Sequence, residues 1–167
     1  NNTATEARLE ATHRQWLGSK GVIGAQVSGA TLNAIDLATN NYAIVPQTKS
    51  NSAAFFVVEE GRYGPLKTSL GARYSYAAQN PNMATQFPSA SSQGFAPNTY
   101  GPPSIQNRQF NLFSYSAGGV YDLAKGYGLG LTYTVSQRAP TPQELYSYGP
   151  HDSTATFDIG NSNLGVE

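Results

Sequence analysis

Histidine, the side chain best suited to general base work near neutral pH, occurs twice in this chain of 167 residues, at His13 and His151, and cysteine is absent. With no thiol and no Ser in a nucleophile-elbow setting, the converging nucleophile, base and orienting group that catalysis needs are missing from the sequence. No enzymatic activity is expected. Glu59 and Glu60 adjoin, but neighbours on a strand point to opposite faces, so they are expected to end a strand rather than share acid–base work. The alternate glycines of Gly126-Tyr127-Gly128-Leu129-Gly130 echo a phosphate-cradling loop. No helix follows to supply the anion site, and a thinned strand face is the expected reading. His151 is the more suggestive group. Gly149-Pro150 forces a turn that could set its imidazole beside the Asp152 carboxylate, a pairing that suits zinc or a similar borderline metal. Zinc wants about four ligands, so the rest would come from elsewhere, and a purely structural turn is the alternative.

The elements that must position these groups show a period of two. Tyr127, Leu129, Leu131, Tyr133 and Val135 alternate with Gly128, Gly130, Thr132, Thr134 and Ser136, which makes one face apolar and the other small or polar. Leu66–Tyr76 and Phe113–Tyr121 repeat the pattern, and Ile23, Ala25 and Val27 alternate with Gly24, Gln26 and Ser28. Glu6, Arg8, Glu10 and Arg14 share one side of another such run, where a ladder of opposite charges holds strand register. In Ser52–Glu60 the apolar residues Phe55, Phe56, Val57 and Val58 are contiguous, so that run leaves its facing open. Six antiparallel strands are predicted over 4–16, 21–31, 51–60, 66–78, 108–122 and 126–138, each beside its sequence neighbour.

Composition removes several functional classes. Ten basic residues balance ten acidic ones, so the cationic surface that neutralises nucleic-acid phosphates is lacking. The first residues carry no basic segment or apolar run of a secretory leader. Nor does any apolar stretch approach the ~20 residues of a membrane-spanning helix. A spanning strand needs only ~9–11, with alternate residues apolar.

The connections separate the two all-β readings. Short links at Leu17–Lys20, Gly61–Pro65 and Leu123–Gly126 alternate with long ones at Thr31–Asn51, Ala77–Asn107 and Ala139–Leu164. Soluble domains rarely carry three long structureless loops, whereas outer-membrane barrels pair short periplasmic turns with long external loops. No helix or strand is expected in the Pro-rich stretch Asn80–Ser104. Aromatics gather beside the short links at Trp16, Tyr63, Tyr121 and Tyr127, and toward the other ends at Tyr74, Tyr76, Phe110 and Tyr133, as two interfacial girdles would require. His13, on an apolar face near a short link, is then expected at the interface rather than as a ligand. A soluble β-sandwich module and a passive porin-like barrel are the alternatives. Six strands cannot close a transmembrane barrel, so the chain is expected to be a segment of a larger one.

Ser136-Gln-Arg-Ala-Pro-Thr-Pro-Gln-Glu-Leu-Tyr146, then Gly149-Pro-His151, Thr156-Phe-Asp-Ile-Gly-Asn161 and Asn163-Leu164, closely resemble the late-barrel signature of TonB-dependent outer-membrane receptors. Glu6–His13, Gly21–Gln26, Val45–Thr48, Phe55–Glu60 and Gly71–Tyr74 resemble the mid-barrel strands of that family, and the likeness leans toward its zinc-uptake receptors and their unclassified relatives. The resemblance implies a 22-stranded transmembrane β-barrel, of which residues 1–167 are mid to late strands. A plug domain, a TonB box and the final strands are expected outside this chain. It further implies a bacterial outer-membrane setting, lipid and the TonB complex as partners, no nucleic acid, and energised uptake of a scarce metal ion or metal chelate. No resident cofactor is expected, zinc or a chelate being cargo. The candidate ligand-binding residues of the external loop are Arg138, Glu144, Tyr146, His151 and Asp152, with His151 as the candidate metal ligand.

Overall fold

A computed structural model describes residues 2–16, 18–36, 41–42, 44–84, 87, 101–151 and 156–167, with side chains for all of these but 14–16, 35–36 and 41–42. The elements are β1 (Asn2–Trp16), β2 (Ser19–Leu32), β3 (Ile35–Asp36), β4 (Asn41–Tyr42), β5 (Thr48–Tyr63), β6 (Leu66–Pro81), β7 (Arg108–Ala124), β8 (Tyr127–Val135), α1 (Pro142–Tyr146), β9 (Tyr148–His151) and β10 (Thr156–Ile159). Six of them form one antiparallel sheet in the order β1-β2-β5-β6-β7-β8. All six predicted strands are present, and the sheet is an open meander of the kind a barrel wall provides. The remaining strands form two small ladders, β3–β4 and β9–β10. Among the described residues no second large sheet packs against the first, which removes the sandwich alternative.

The short connections are two-residue turns. Tyr63 pairs with Leu66 across Gly64-Pro65, and Gly64 has φ 62°. A positive φ there lets the turn follow the twist of the two strands, and glycine reaches it without a Cβ clash. β5 and β6 each run 16 residues, roughly 50 Å of extended chain, against the ~9–11 residues a bilayer crossing needs.

Register settles the facing of every strand. Glu10, Gly24, Phe56, Arg73 and Ser114 form one continuous row across five strands, and Leu9, Ala25, Phe55, Tyr74 and Phe113 form the adjacent row on the opposite face. The second, apolar face is open: Leu131 is 81 % and Phe55 67 % exposed. We refer to it as the outer face. Phe56, by contrast, is 8 % exposed on the inner, polar face. Two local features accommodate an aromatic ring there. Gly24 opposite has no side chain, and a Cβ on it would fall 2.3 Å from Phe56 Cζ. The Arg8 guanidinium covers the ring 4.4 Å from its centroid, a cation–π contact.

Several expectations are corrected. Phe110 does not belong to an outer girdle: it pairs with Ala77 in the inner-face phase of β7 and is 4 % exposed. Being three residues from the outward Phe113, it must point the other way. Nor is Ala139–Leu164 a structureless loop, since it contains α1, β9 and β10. Strand β8 stops at Val135, three residues short of the predicted end, because the chain turns there toward α1. Strand β6 runs on to Pro81 and so enters the stretch Asn80–Ser104 expected to hold no strand, and the link Thr31–Asn51 contains β3, β4 and the start of β5. The described residues 82–84, 87 and 101–104 carry no regular element, as expected.

The core lies at the long-connection end, on the inner face. Val45, Phe110, Leu145 and Tyr146 are buried together, with Leu32, Leu112 and Leu164 packed against them. Chain from two long connections thus folds back onto the wall.

Candidate functional site

The five candidate residues occupy the segment that follows β8, and local chemistry dictates its course. Thr141 caps α1 in a capping box: its hydroxyl accepts from Glu144 N at 3.3 Å while the Glu144 carboxylate accepts from Thr141 N at 2.7 Å, and Pro142 opens the helix where no donor is required. Arg138 then grips the same carboxylate with both ends of its fork, Nη1 to Oε2 at 2.9 Å and Nη2 to Oε1 at 2.8 Å. Its Nη2 also reaches Glu167 Oε2 at 2.5 Å. Backbone bonds accompany that contact, Arg138 N to Glu167 O at 3.0 Å and Glu167 N to Arg138 O at 3.2 Å. The Arg138 guanidinium and the Thr141 donors hold the Glu144 carboxyl at a pKa of about 2, and the two carboxylates push that of Arg138 up. Arg138 and Glu144 are therefore engaged with each other.

Tyr146 is fully buried, and its hydroxyl donates to Gln106 O at 2.7 Å. Burial pushes its pKa up to about 12. The carbonyls left over at the end of α1 are taken by the returning chain: Asn161 N donates to Glu144 O at 2.8 Å and Gly160 N to Ser147 O at 2.7 Å. That approach is so close that a Cβ on Gly160 would lie 2.6 Å from Ser147 N. From the wall, Arg108 on the inner face of β7 donates to the carbonyls of Ser162 and Leu164, the latter at 2.8 Å.

Between these anchors Gly149 and Pro150 lie within strand β9 and do not form the expected turn, and β9 and β10 pair with His151 opposite Thr156 and Pro150 opposite Phe157. One side of the ladder is seated by aromatic contacts: Tyr148 meets Phe157 edge-on at 4.9 Å and Phe87 at 5.5 Å. The other side carries His151 and Asp158, whose Nδ1 and Oδ2 are 3.1 Å apart, with both side chains exposed. The carboxylate beside His151 in this structure is thus that of Asp158. Asp152 lies outside the described residues. Among the described residues no group of three or more His, Asp or Glu stands close enough to hold a metal ion.

The structure thus divides the described candidates. Arg138, Glu144 and Tyr146 are joined in one packed assembly, and His151 stands apart on an exposed ladder face. Sequence reading missed Arg108 and Asp158. Once the register sets His151 opposite Thr156, alternation puts Asp158 on the same face, but no residue type in the sequence signals that register. Arg108 bonds only to backbone carbonyls, and nothing in its type or spacing signals that.

The groups rejected on sequence also find partners. On the outer face His13 Nε2 meets Glu59 Oε1 at 2.7 Å, while on the inner face Glu60 lies 3.4 Å from Lys20. The two adjacent carboxylates do face opposite ways, and the Arg8–Glu10 pair lies on the inner face as a charge ladder would place it.

Over residues 1–167 the chain matches the family described as TonB dependent receptor-like, beta-barrel. It belongs to that family, which is one of outer-membrane receptors and transporters dependent on TonB and not of enzymes.

Proposed function

We propose that this member of the TonB-dependent receptor β-barrel family forms mid to late barrel wall of an energised outer-membrane receptor that takes up a scarce metal ion or metal chelate into the periplasm. The finer assignment, zinc or a similar borderline metal, rests on one observation: the imidazole of His151 and the carboxylate of Asp158 stand 3.1 Å apart on an exposed ladder face at the long-connection end. Three short turns alternate with two long connections along this sheet, and with the short turns on the periplasmic side the opposite end faces outward. A neutral imidazole beside a carboxylate can act in either of two ways: both bind the metal, or the carboxylate orients the imidazole that does. Asp152, the next residue in sequence, is a further candidate oxygen donor. The remaining ligands of a shell of about four come from other loops or from a plug domain elsewhere in the receptor. Arg138, Glu144 and Tyr146 hold the ladder in place rather than touching the ligand.

Uptake of radioactive zinc and of a ferric chelate by cells carrying the complete receptor, with and without TonB, tests this reading. Zinc accumulation that requires both receptor and TonB is expected. Accumulation of the ferric chelate alone would move the substrate to the chelate class, and accumulation indifferent to TonB would contradict energised transport.

A further inference from the structure

The segment from Arg138 to His151, with Thr156 to Glu167, is held by contacts of four kinds, two of them to the wall, one within the segment itself and one to the connection before β5. Its apolar residues Leu145 and Tyr146 complete a core with Phe110, an inner-face residue of β7. Its backbone is held at Ser162 and Leu164 by the Arg108 side chain from the same strand. Its two arms are closed on each other by the Arg138–Glu144–Glu167 ion pairs and by Gly160 seated against the end of α1. It is tied to the connection before β5 as well, since Tyr148 N donates to Ile44 O at 2.8 Å. The Tyr146 hydroxyl, the Tyr148 amide and the Arg108 guanidinium would all need new partners if this segment lifted away, and a buried polar group without a partner is costly.

We infer that this segment is a strap already closed over the inner side of the wall before any ligand arrives, so that its exposed ladder is a preformed surface and not a loop that orders on binding. Most external loops are mobile because few apolar contacts hold them; here a core, a cationic clamp and an ion-pair closure coincide in one segment. The strap narrows the long-connection end of the wall on its inner side. For the reading given above, on which this consequence alone rests, the ligand meets His151 and Asp158 in fixed positions, and no ordering cost is subtracted from its affinity.

Hydrogen exchange of the complete receptor in lipid nanodiscs, with no ligand added, tests the strap without reference to what is transported. Backbone amides of Leu145, Ser147, Tyr148, Gly160 and Asn161 are expected to exchange at least 100-fold more slowly than unstructured peptide. In Gly160→Val, where a side chain cannot fit against Ser147 N, those amides are expected to lose that protection while those of β7 keep theirs. Strap amides that exchange freely in the unsubstituted receptor would overturn the proposal, and so would full protection retained in Gly160→Val. Neither result bears on zinc, so the strap and the substrate assignment can fail separately.

Discussion

His13 and Glu59 meet on the outer face of the sheet, Nε2 to Oε1 at 2.7 Å, reaching across the bare backbone of Gly21, which pairs with both. A Cβ on Gly21 would lie 2.4 Å from Glu59 Oε1 and 2.5 Å from the carbonyl oxygen of Val58. The second contact is with backbone and cannot be relieved by a rotamer change. Gly21→Val is therefore expected to cost about 1–3 kcal/mol, the usual range for overpacking. Urea unfolding of the complete receptor refolded in lipid measures this, and an unshifted midpoint would show that the pair does not close over Gly21.

The two faces of β8 should respond oppositely to charge. Leu131 is on the outer face, and Thr132 lies opposite Gly118 on the inner one. Arg at Leu131 is expected to cost ~2–4 kcal/mol if the position lies near the bilayer midplane, while Arg at Thr132 is tolerated. Equal costs for the two in the same refolding assay would reverse or erase the assignment of faces.

The faces were legible in the sequence because alternation is a strong signal where apolar and polar residues strictly interleave, as in Tyr127–Val135. It failed at Phe55-Phe56, where four apolar residues run together; only the space left by Gly24 and the cover given by Arg8, both on other strands, decide that Phe56 turns inward. Phe110 was misplaced for a related reason. Its nearness to a strand end suggested a girdle, whereas its parity relative to Phe113 already required the inner face. The fold of residues 139–164 was less accessible. The Thr141–Glu144 capping box is local and readable, but the clamp from Arg108 and the partnership of His151 with Asp158 depend on which backbone returns to meet which, and single residue types do not encode that.

Glu144 gives the strap a defined acid sensitivity. Its carboxyl has a folded pKa of about 2, below the ordinary carboxylate value of 4.5, chiefly through its bond with Arg138. A depressed carboxylate contributes stability above its unfolded pKa, and that contribution disappears as pH falls from about 4.5 through about 2. The unsubstituted receptor should therefore hold its strap protected against exchange better than Glu144→Gln at pH 7, and the difference should vanish near pH 2. A difference independent of pH would remove the charge on Glu144 as its cause.

Tyr146 separates packing from hydrogen bonding. Tyr146→Phe keeps the ring and removes only the 2.7 Å bond to Gln106 O, for an expected loss of about 0.5–1.5 kcal/mol. Leu145→Ala leaves a cavity in the same core and is expected to cost about 2–5 kcal/mol. If thermal or denaturant unfolding ranked them the other way, the core under the strap would not be packed as described.

The most direct test of metal capture at the exposed ladder is calorimetric titration of zinc into the complete receptor beside its His151→Ala and Asp158→Asn forms, with binding of a ferric chelate followed in parallel. His151→Ala is expected to abolish the zinc isotherm or weaken it at least 100-fold. Loss of an orienting carboxylate in Asp158→Asn is expected to weaken it by about 10–100-fold. Zinc affinity unchanged in His151→Ala would contradict the assignment of that residue, and the absence of zinc binding in all three forms would contradict zinc as the ligand.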